Sequence, residues 1–168
     1  IFTGPGTLQN TTQTINDINQ MVAWTNGFYT DIVAASYPIA GVVPLTDTKI
    51  RFDLDDRIYF YPGTNLYNNT SVGTLQAYVA SVDPTRLDNL NIYLTTGSSS
   101  PYAIAPYPIT IIGSSYSNPG SLYGDLGLFM HVDGASGIPY AVSQTLAHEL
   151  GHCLDLFHTY NPSCCHET

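Results

Sequence analysis

The sequence predicts an α/β (α+β) domain: one mixed, twisted sheet, a long helix backing it, and a second helix near the C-terminal end that carries a His-Glu-x-x-His motif. Three observations lead there. Apolar residues recur at helical spacing in the first 34 positions and again after position 140. Short apolar runs bounded by Gly, Pro and Asn lie between those stretches. Helical and strand-like segments therefore interleave along a chain of 168 residues, read as one domain over 1–168 with enough length to bury a core.

Residues 1–12 are rich in Gly, Pro and Thr and form an extended lead-in. Ile15, Ile18, Val22 and Phe28, with Met21 and Trp24 beside them, then set a helix over 12–34. Its aromatic stripe is expected to pack on the sheet, because stripes at that spacing face a core. Pro38 and Pro44 interrupt the pattern, and 49–61 reads as a strand through Ile50, Phe52, Leu54, Ile58 and Phe60. Asp53, Asp55 and Asp56 sit between its halves. They are a conceivable Ca²⁺ site, but they lack the spacing of a recognised calcium loop, so solvated acids are the simpler expectation.

Residues 62–69 read as a loop, followed by a helix over 71–82 capped by Thr70 or Ser71 and closed before Pro84. Positions 90–95 read as a buried strand, 97–101 as a flexible loop and 109–112 as a short apolar strand. The last strand, 124–132, carries Leu126, Leu128, Phe129 and Val132 and is expected beside the motif helix. His131 falls on it and reads as an ordinary polar side chain.

Thirteen acidic residues stand against four basic ones, Lys49, Arg51, Arg57 and Arg86, for a net charge of −9. With no basic cluster, general affinity for nucleic acid or an anionic membrane surface is excluded. No run of eighteen apolar residues exists, so no membrane span is expected. Only 10% of residues are charged, and polarity comes from Thr, Ser, Asn, Gly and thirteen Tyr. That balance suits a secreted or extracellular protein.

The chemistry concentrates in 148–158, His-Glu-Leu-Gly-His-Cys-Leu-Asp-Leu-Phe-His. No Pro or Gly interrupts 140–147, so that helix runs into the motif. Four residues turn a helix through about 400° and raise it roughly 6 Å, which brings His148 and His152 out on one face. Two neutral imidazoles there can bind one Zn²⁺, with Glu149 beside them as general base for a metal-bound water. His158 is too far round a continuing helix to join them. A turn after about Leu154 is therefore expected to bring it in as the third ligand. Three protein ligands leave a fourth position open, as in catalytic rather than structural zinc sites. Composition supports this reading: three of the five His fall in this window, as does Glu149, one of only two Glu in the chain.

The window resembles the HExxHxxGxxH signature of the metzincin clan of zinc endopeptidases. Within that clan it is most similar to the pappalysin family, through His148 to His152 and Leu156 to Tyr160, with Asn91-Ile92-Tyr93 and Ile50-Arg51-Phe52 similar upstream. The resemblance implies a zincin-like catalytic domain hydrolysing peptide or protein substrates, with zinc on His148, His152 and His158 and Glu149 as base. It also leads to the expectation that strand 124–132 borders the cleft and pairs with an extended peptide. Two departures stand out. Asp155 replaces the family's glycine at a helix end that favours a left-handed residue. No Met follows His158, so the chain is expected to represent mainly the upper subdomain, without the methionine-bearing turn, and as such a fragment to hold zinc weakly and show little or no peptidase activity.

Cys153 reads as a small buried apolar residue, and the adjacent Cys164 and Cys165 as thiols whose partners lie elsewhere. Asn10, Asn68 and Asn69 match the N-glycosylation acceptor pattern. Two other classes of function fit the same residues. One is a zinc hydrolase acting on a non-peptide substrate, since the motif activates water without choosing a bond. The other is an inactive protease-like binding or adhesion module, which need not hold metal.

Overall fold

A computed structural model describes residues 1–30, 47–54, 57–69, 71–85, 89–96, 103–104, 127–132, 138, 140–154 and 156. In chain order these form β1 (Phe2–Thr3), α1 (Thr12–Thr30), β2 (Tyr61–Pro62), α2 (Val72–Val82), β3 (Asn91–Thr95), β4 (Ala103–Ile104), β5 (Gly127–His131) and α3 (Tyr140–Cys153). β1 and β2 pair in parallel. The main sheet has the order β3-β5-β4 and is mixed: β3 runs parallel to β5, and β4 antiparallel to it.

The sheet is covered on both faces, which follows from strand alternation. Register pairs Ile92 with Leu128 and Leu94 with Met130, so these side chains share a face. They join Ile18 and Met21 of α1 and Leu146 and Leu150 of α3 in the larger core. Tyr93 points the other way and packs with Phe2, Tyr61, Leu75 and Val79, which brings α2 to the second face. There Phe2 stacks on Tyr61 with ring centroids 5.2 Å apart, and Tyr78 meets Tyr61 edge-on at 5.7 Å. Burial pushes the Tyr93 phenol above its ordinary range. Gly4, just after β1, lies under the Tyr67 ring, and a Cβ there would come within 2.5 Å of Tyr67 Cδ1.

α1 begins where the sequence places it. Thr11 caps it, its hydroxyl accepting from Thr14 N at 3.1 Å. The buried face is Thr14, Ile18, Met21, Val22, Thr25 and Tyr29, while Trp24 and Phe28 flank it against Tyr140 of α3, each ring 5.4 Å away. The aromatic residues Trp24 and Phe28 thus meet α3, while Ile18 and Met21 reach the core shared with the sheet. α1 and α3 cross where the side chains are small: Thr25 Oγ1 donates to Met21 O at 2.8 Å and also lies 3.4 Å from Ser143 O. α2 is capped by Ser71, one of the two caps expected, and ends at Val82 before Pro84.

Segment 49–61 corrects the sequence reading, for among its described residues strand begins at Tyr61. Lys49 takes a left-handed φ of 64°, which breaks an extended run at its start. Asp47 braces this bend. Its carboxylate accepts from the Arg51 guanidinium at 3.1 Å and from Lys49 N at 2.8 Å, and these donors hold its pKa well below the usual carboxylate range. The segment then lies along α1 as a strap. Asn26 Nδ2 donates to Phe52 O at 2.8 Å and Asn26 Oδ1 accepts from Phe52 N at 2.8 Å, so one side-chain amide stands in for a neighbouring strand. Thr48 N and Oγ1 both donate to Tyr29 O at 3.0 Å, covering a carbonyl at the end of α1. The apolar alternation is real, and Phe52, Leu54 and Ile58 pack against the core shared by α1, α3 and the sheet without joining a strand ladder.

Strands 90–95 and 124–132 agree with β3 and β5 within one to three residues at each end. The pair β1/β2 and the short β4 were not anticipated. At two residues each, they carry too little pattern to stand out. The predicted strand 109–112, the C-terminal part of helix 12–34 beyond Thr30, Asp55 and Asp56 lie outside the described residues. No helix among the described residues is long and apolar enough to cross a membrane.

Candidate metal centre

α3 forms because Tyr140 to Leu150 contains neither Pro nor Gly and presents Ser143, Leu146, Leu150 and Cys153 on one face. Leu146 and Leu150 are at most 1% exposed, and burying two such side chains contributes about 3–6 kcal/mol to holding this helix on the sheet. Tyr29 adds a polar anchor from α1. Its hydroxyl donates to Ala147 O at 2.8 Å, one residue before the first motif histidine, and burial pushes its phenol up to about 12. Gly151 is not required for that contact, since an added Cβ would lie an ordinary 3.8 Å from the Tyr29 oxygen.

On this supported helix His148 and His152 come together as the spacing predicts. Their rings are 4.6 Å apart at 79°, and their Nε2 atoms face one another at 3.1 Å. His148 is exposed, while His152 is buried at 6% exposure. Two nitrogens about 2.0–2.1 Å from one tetrahedral ion lie about 3.3 Å apart, so this pair already has the spacing of two zinc ligands. The other side of the His152 ring agrees. Nδ1 is 2.7 Å from Leu156 O, and a carbonyl can only accept, so Nδ1 carries the hydrogen and the neutral ring has its lone pair on Nε2. The donor set therefore fits a metal that takes imidazole nitrogen.

The chain end that supplies this carbonyl folds back over the helix. Leu154 N and Leu156 N both donate to Gly151 O at 3.0 Å. The second of these is the six-residue closure of a Schellman-type helix end, so the helix does stop where the sequence requires a turn. The intervening Asp155 lies outside the described residues, and so does His158, the expected third ligand. Among the described residues no group of three or more His, Cys, Asp or Glu side chains converges, and the pair His148 and His152 is what they contribute.

Glu149 is 8% exposed and follows His148 directly. Helix geometry sets it one turn from Cys153, whose buried thiol is pushed up to about 11 by desolvation and, secondarily, by this carboxylate. Cys153 is thus an inert core side chain, as its position suggests. His131 lies elsewhere: its Nδ1 meets Thr95 Oγ1 at 2.9 Å, on the sheet face opposite Leu94 and Met130. Burial lowers the basicity of its ring, and a hydrogen bond with the Thr96 backbone partly opposes this. Of the acidic trio, Asp53 is exposed and its two companions are outside the described residues.

Two contributors to the site escaped the sequence reading. Leu156 acts through a backbone atom, which no residue type reveals. Tyr29 belongs to the α1 stripe and had no mark separating it from its core neighbours. β5 also differs from expectation, being the middle strand, with β4 paired to it at Phe129 and Met130. A cavity of about 620 Å³ lies on the core side of α3, lined by Ile18, Met21, Phe52, Leu146 and Leu150 and, toward the surface, by polar residues such as Asp53, Arg57 and Asn89. Neither His148, Glu149 nor His152 lines it. No protein-family model matches this chain, and neither a curated protein nor a solved structure matches it.

Proposed function

We propose that this chain is a zinc-dependent endopeptidase domain with a zincin-like arrangement, of the kind its motif resembles. The observation that carries the reading is the facing pair of imidazoles, 3.1 Å between Nε2 atoms with His152 Nδ1 tied to a carbonyl. A solvated surface helix has no need of the carbonyl tie or of a buried second histidine. His148 and His152 would hold the ion, and His158 would be the third ligand that the resemblance supplies. When bound, zinc lowers the pKa of water to about 7 and polarises a carbonyl oxygen.

The remaining work belongs to the chain. Glu149 takes the water proton on a carboxylate oxygen and returns it to the leaving amine. Leu146 and Leu150 fix the helix beneath, so the base and both ligands move as one body. β4 is the outermost described strand on its side of the sheet, and it is the natural place for an extended peptide to add by backbone pairing. The low charge and the glycosylation acceptor patterns fit work outside the cell.

The test is metal first, then chemistry. Chelator-stripped protein is titrated with zinc, and a panel of quenched peptides is assayed with and without chelator. One zinc per chain is expected, abolished by the double substitution His148→Ala and His152→Ala, with any peptide cleavage stopped by chelator. A chain that takes up no zinc at stoichiometric concentration sinks the proposal. A chain that binds zinc yet cleaves only non-peptide esters or amides removes the endopeptidase part and keeps the hydrolase.

A further inference from the structure

Two of the three glycosylation acceptor patterns overlap, and the fold treats them differently. Asn10-Thr11-Thr12, Asn68-Asn69-Thr70 and Asn69-Thr70-Ser71 each place a hydroxyl two residues after an asparagine. Asn10 is exposed at the end of the lead-in, one residue before the Thr11 cap of α1. Asn68 is exposed in the loop ahead of α2. Asn69 is half-buried, and Ser71 N donates to its Oδ1 at 2.8 Å, so its amide is turned back on the start of α2. Ser71, the hydroxyl that the Asn69 pattern needs, is itself the α2 cap, with Thr74 N donating to its Oγ at 3.3 Å.

Asn10 and Asn68 flank one junction. The lead-in passes directly under Tyr67, the residue before Asn68, since a Cβ on Gly4 would stand 2.5 Å from that ring. Gln9, the residue before Asn10, reaches back to the same stretch, its Nε2 donating to Gly4 O and to Thr7 O at 3.1 Å. The motif lies elsewhere. α1 and α3 meet in the same order along the chain, Trp24 with Tyr140, Thr25 with Ser143 and Tyr29 with Ala147, so the two helices run parallel. The start of α1 is therefore its far end from the motif, about 25 Å along the helix axis from Tyr29 at 1.5 Å per residue.

We propose that Asn10 and Asn68 carry N-linked glycans, that Asn69 does not, and that the two sugars cover the junction of the lead-in with loop 62–69 while the motif end stays open. This rests on reading the chain as extracellular. Transfer joins asparagine Nδ2 to the anomeric carbon of a lipid-diphosphate-linked oligosaccharide as the bond from that carbon to the phosphate oxygen breaks. The lipid diphosphate leaves, and the amide gives up one proton to the transferase. An extended chain offers all three patterns, so the folded product separates them. A glycan on Asn10 or Asn68 projects into water. One on Asn69 enlarges a half-buried amide beside the first turn of α2. Asn68 also has threonine at the hydroxyl position, where Asn69 has serine, and the extra methyl group gives the transferase a further contact.

A site map of the full chain, secreted from a glycosylating yeast behind a cleavable signal, tests this. Peptide-N-glycosidase acting in ¹⁸O water turns each glycosylated asparagine into a marked aspartate, which peptide mass spectrometry locates; a sample without enzyme controls for spontaneous deamidation. Marks are expected at Asn10 and Asn68, with Asn69 bare. Intact mass should fall by one glycan in Asn10→Gln and in Asn68→Gln, and the double variant should carry none. A mark at Asn69 in the parent chain, a mark that moves to Asn69 in Asn68→Gln, or a secreted chain bare at Asn10 or Asn68 overturns the proposal.

Where the sugars lie is read through the metal. Zinc uptake by the double variant should match that of the glycosylated chain within about twofold, as for sites that do not touch, and a larger difference overturns the siting. A glycosylated chain that takes up no zinc refutes the metal reading, and the site map then decides this proposal alone. Protein from its natural source that is bare at both positions, while the yeast product carries both glycans, refutes the extracellular reading and not the choice of acceptors.

Discussion

Replacing Asn26 by alanine should loosen the strap from α1 and destabilise the fold by about 2 kcal/mol. The magnitude comes from two hydrogen bonds, both 2.8 Å, between one side-chain amide and the two polar groups of Phe52. Each contributes a net of about 0.5–1.5 kcal/mol, giving roughly 1–3 kcal/mol for the pair. The Phe52 peptide is only partly buried, so water recovers some of the loss and the middle of that range is expected. In a domain of this size that corresponds to a drop in Tm of about 4–8 °C.

Trp24, the sole tryptophan, packs against Tyr140 with centroids 5.4 Å apart and reports on the α1–α3 contact, so urea unfolding can be followed by its fluorescence. The midpoint should fall with no change in slope. Asn26→Asp is the companion variant: it keeps an acceptor for Phe52 N but turns a second oxygen toward Phe52 O, and it should cost at least as much. A loss under about 0.5 kcal/mol in the alanine variant would refute the idea that this amide replaces a strand partner.

Other expectations concern the site and its support. Glu149→Gln should keep the fold and most zinc affinity while lowering peptide turnover by at least about 10²-fold, and parental turnover in the purified variant would remove the general-base role. Gly4→Ala places a carbon 2.5 Å from the Tyr67 ring and should cost about 1–3 kcal/mol by overpacking, measured by the same urea titration. His131 has a folded-state pKa below its ordinary 6.5, so below that pH the unfolded chain takes up the proton first. Its contribution to stability is therefore complete above about 6.5 and is lost progressively as pH falls toward the folded value. His131→Gln should flatten that part of the stability–pH curve, and an unchanged slope would contradict the burial argument.

What the sequence determined by itself is what short-range periodicity controls. The helical run from Thr12, the cap at Ser71, the stop before Pro84 and the one-turn spacing of His148 and His152 each depend on residues within a few positions of one another. Local steric and hydrogen-bonding rules are enough there. Alternation could show that Ile50, Phe52 and Leu54 face a core, but not whether a strand or a helix side chain would meet the backbone of Phe52. Only the fold brings Asn26 to that peptide, 26 residues away.

β5 shows the same limit. Its apolar pattern marks it as buried, and the pairing with both β3 and β4, set by chain reversal elsewhere, makes it the centre rather than an edge. At the candidate site the facing of His148 and His152 was legible because helical spacing alone sets it. The groups that set their geometry were not. Tyr29 reaches Ala147 across 118 positions, and Leu156 acts through a carbonyl that every residue possesses. Backbone atoms and distant partners carry no signature in sequence, so their roles appear only when the chain has packed.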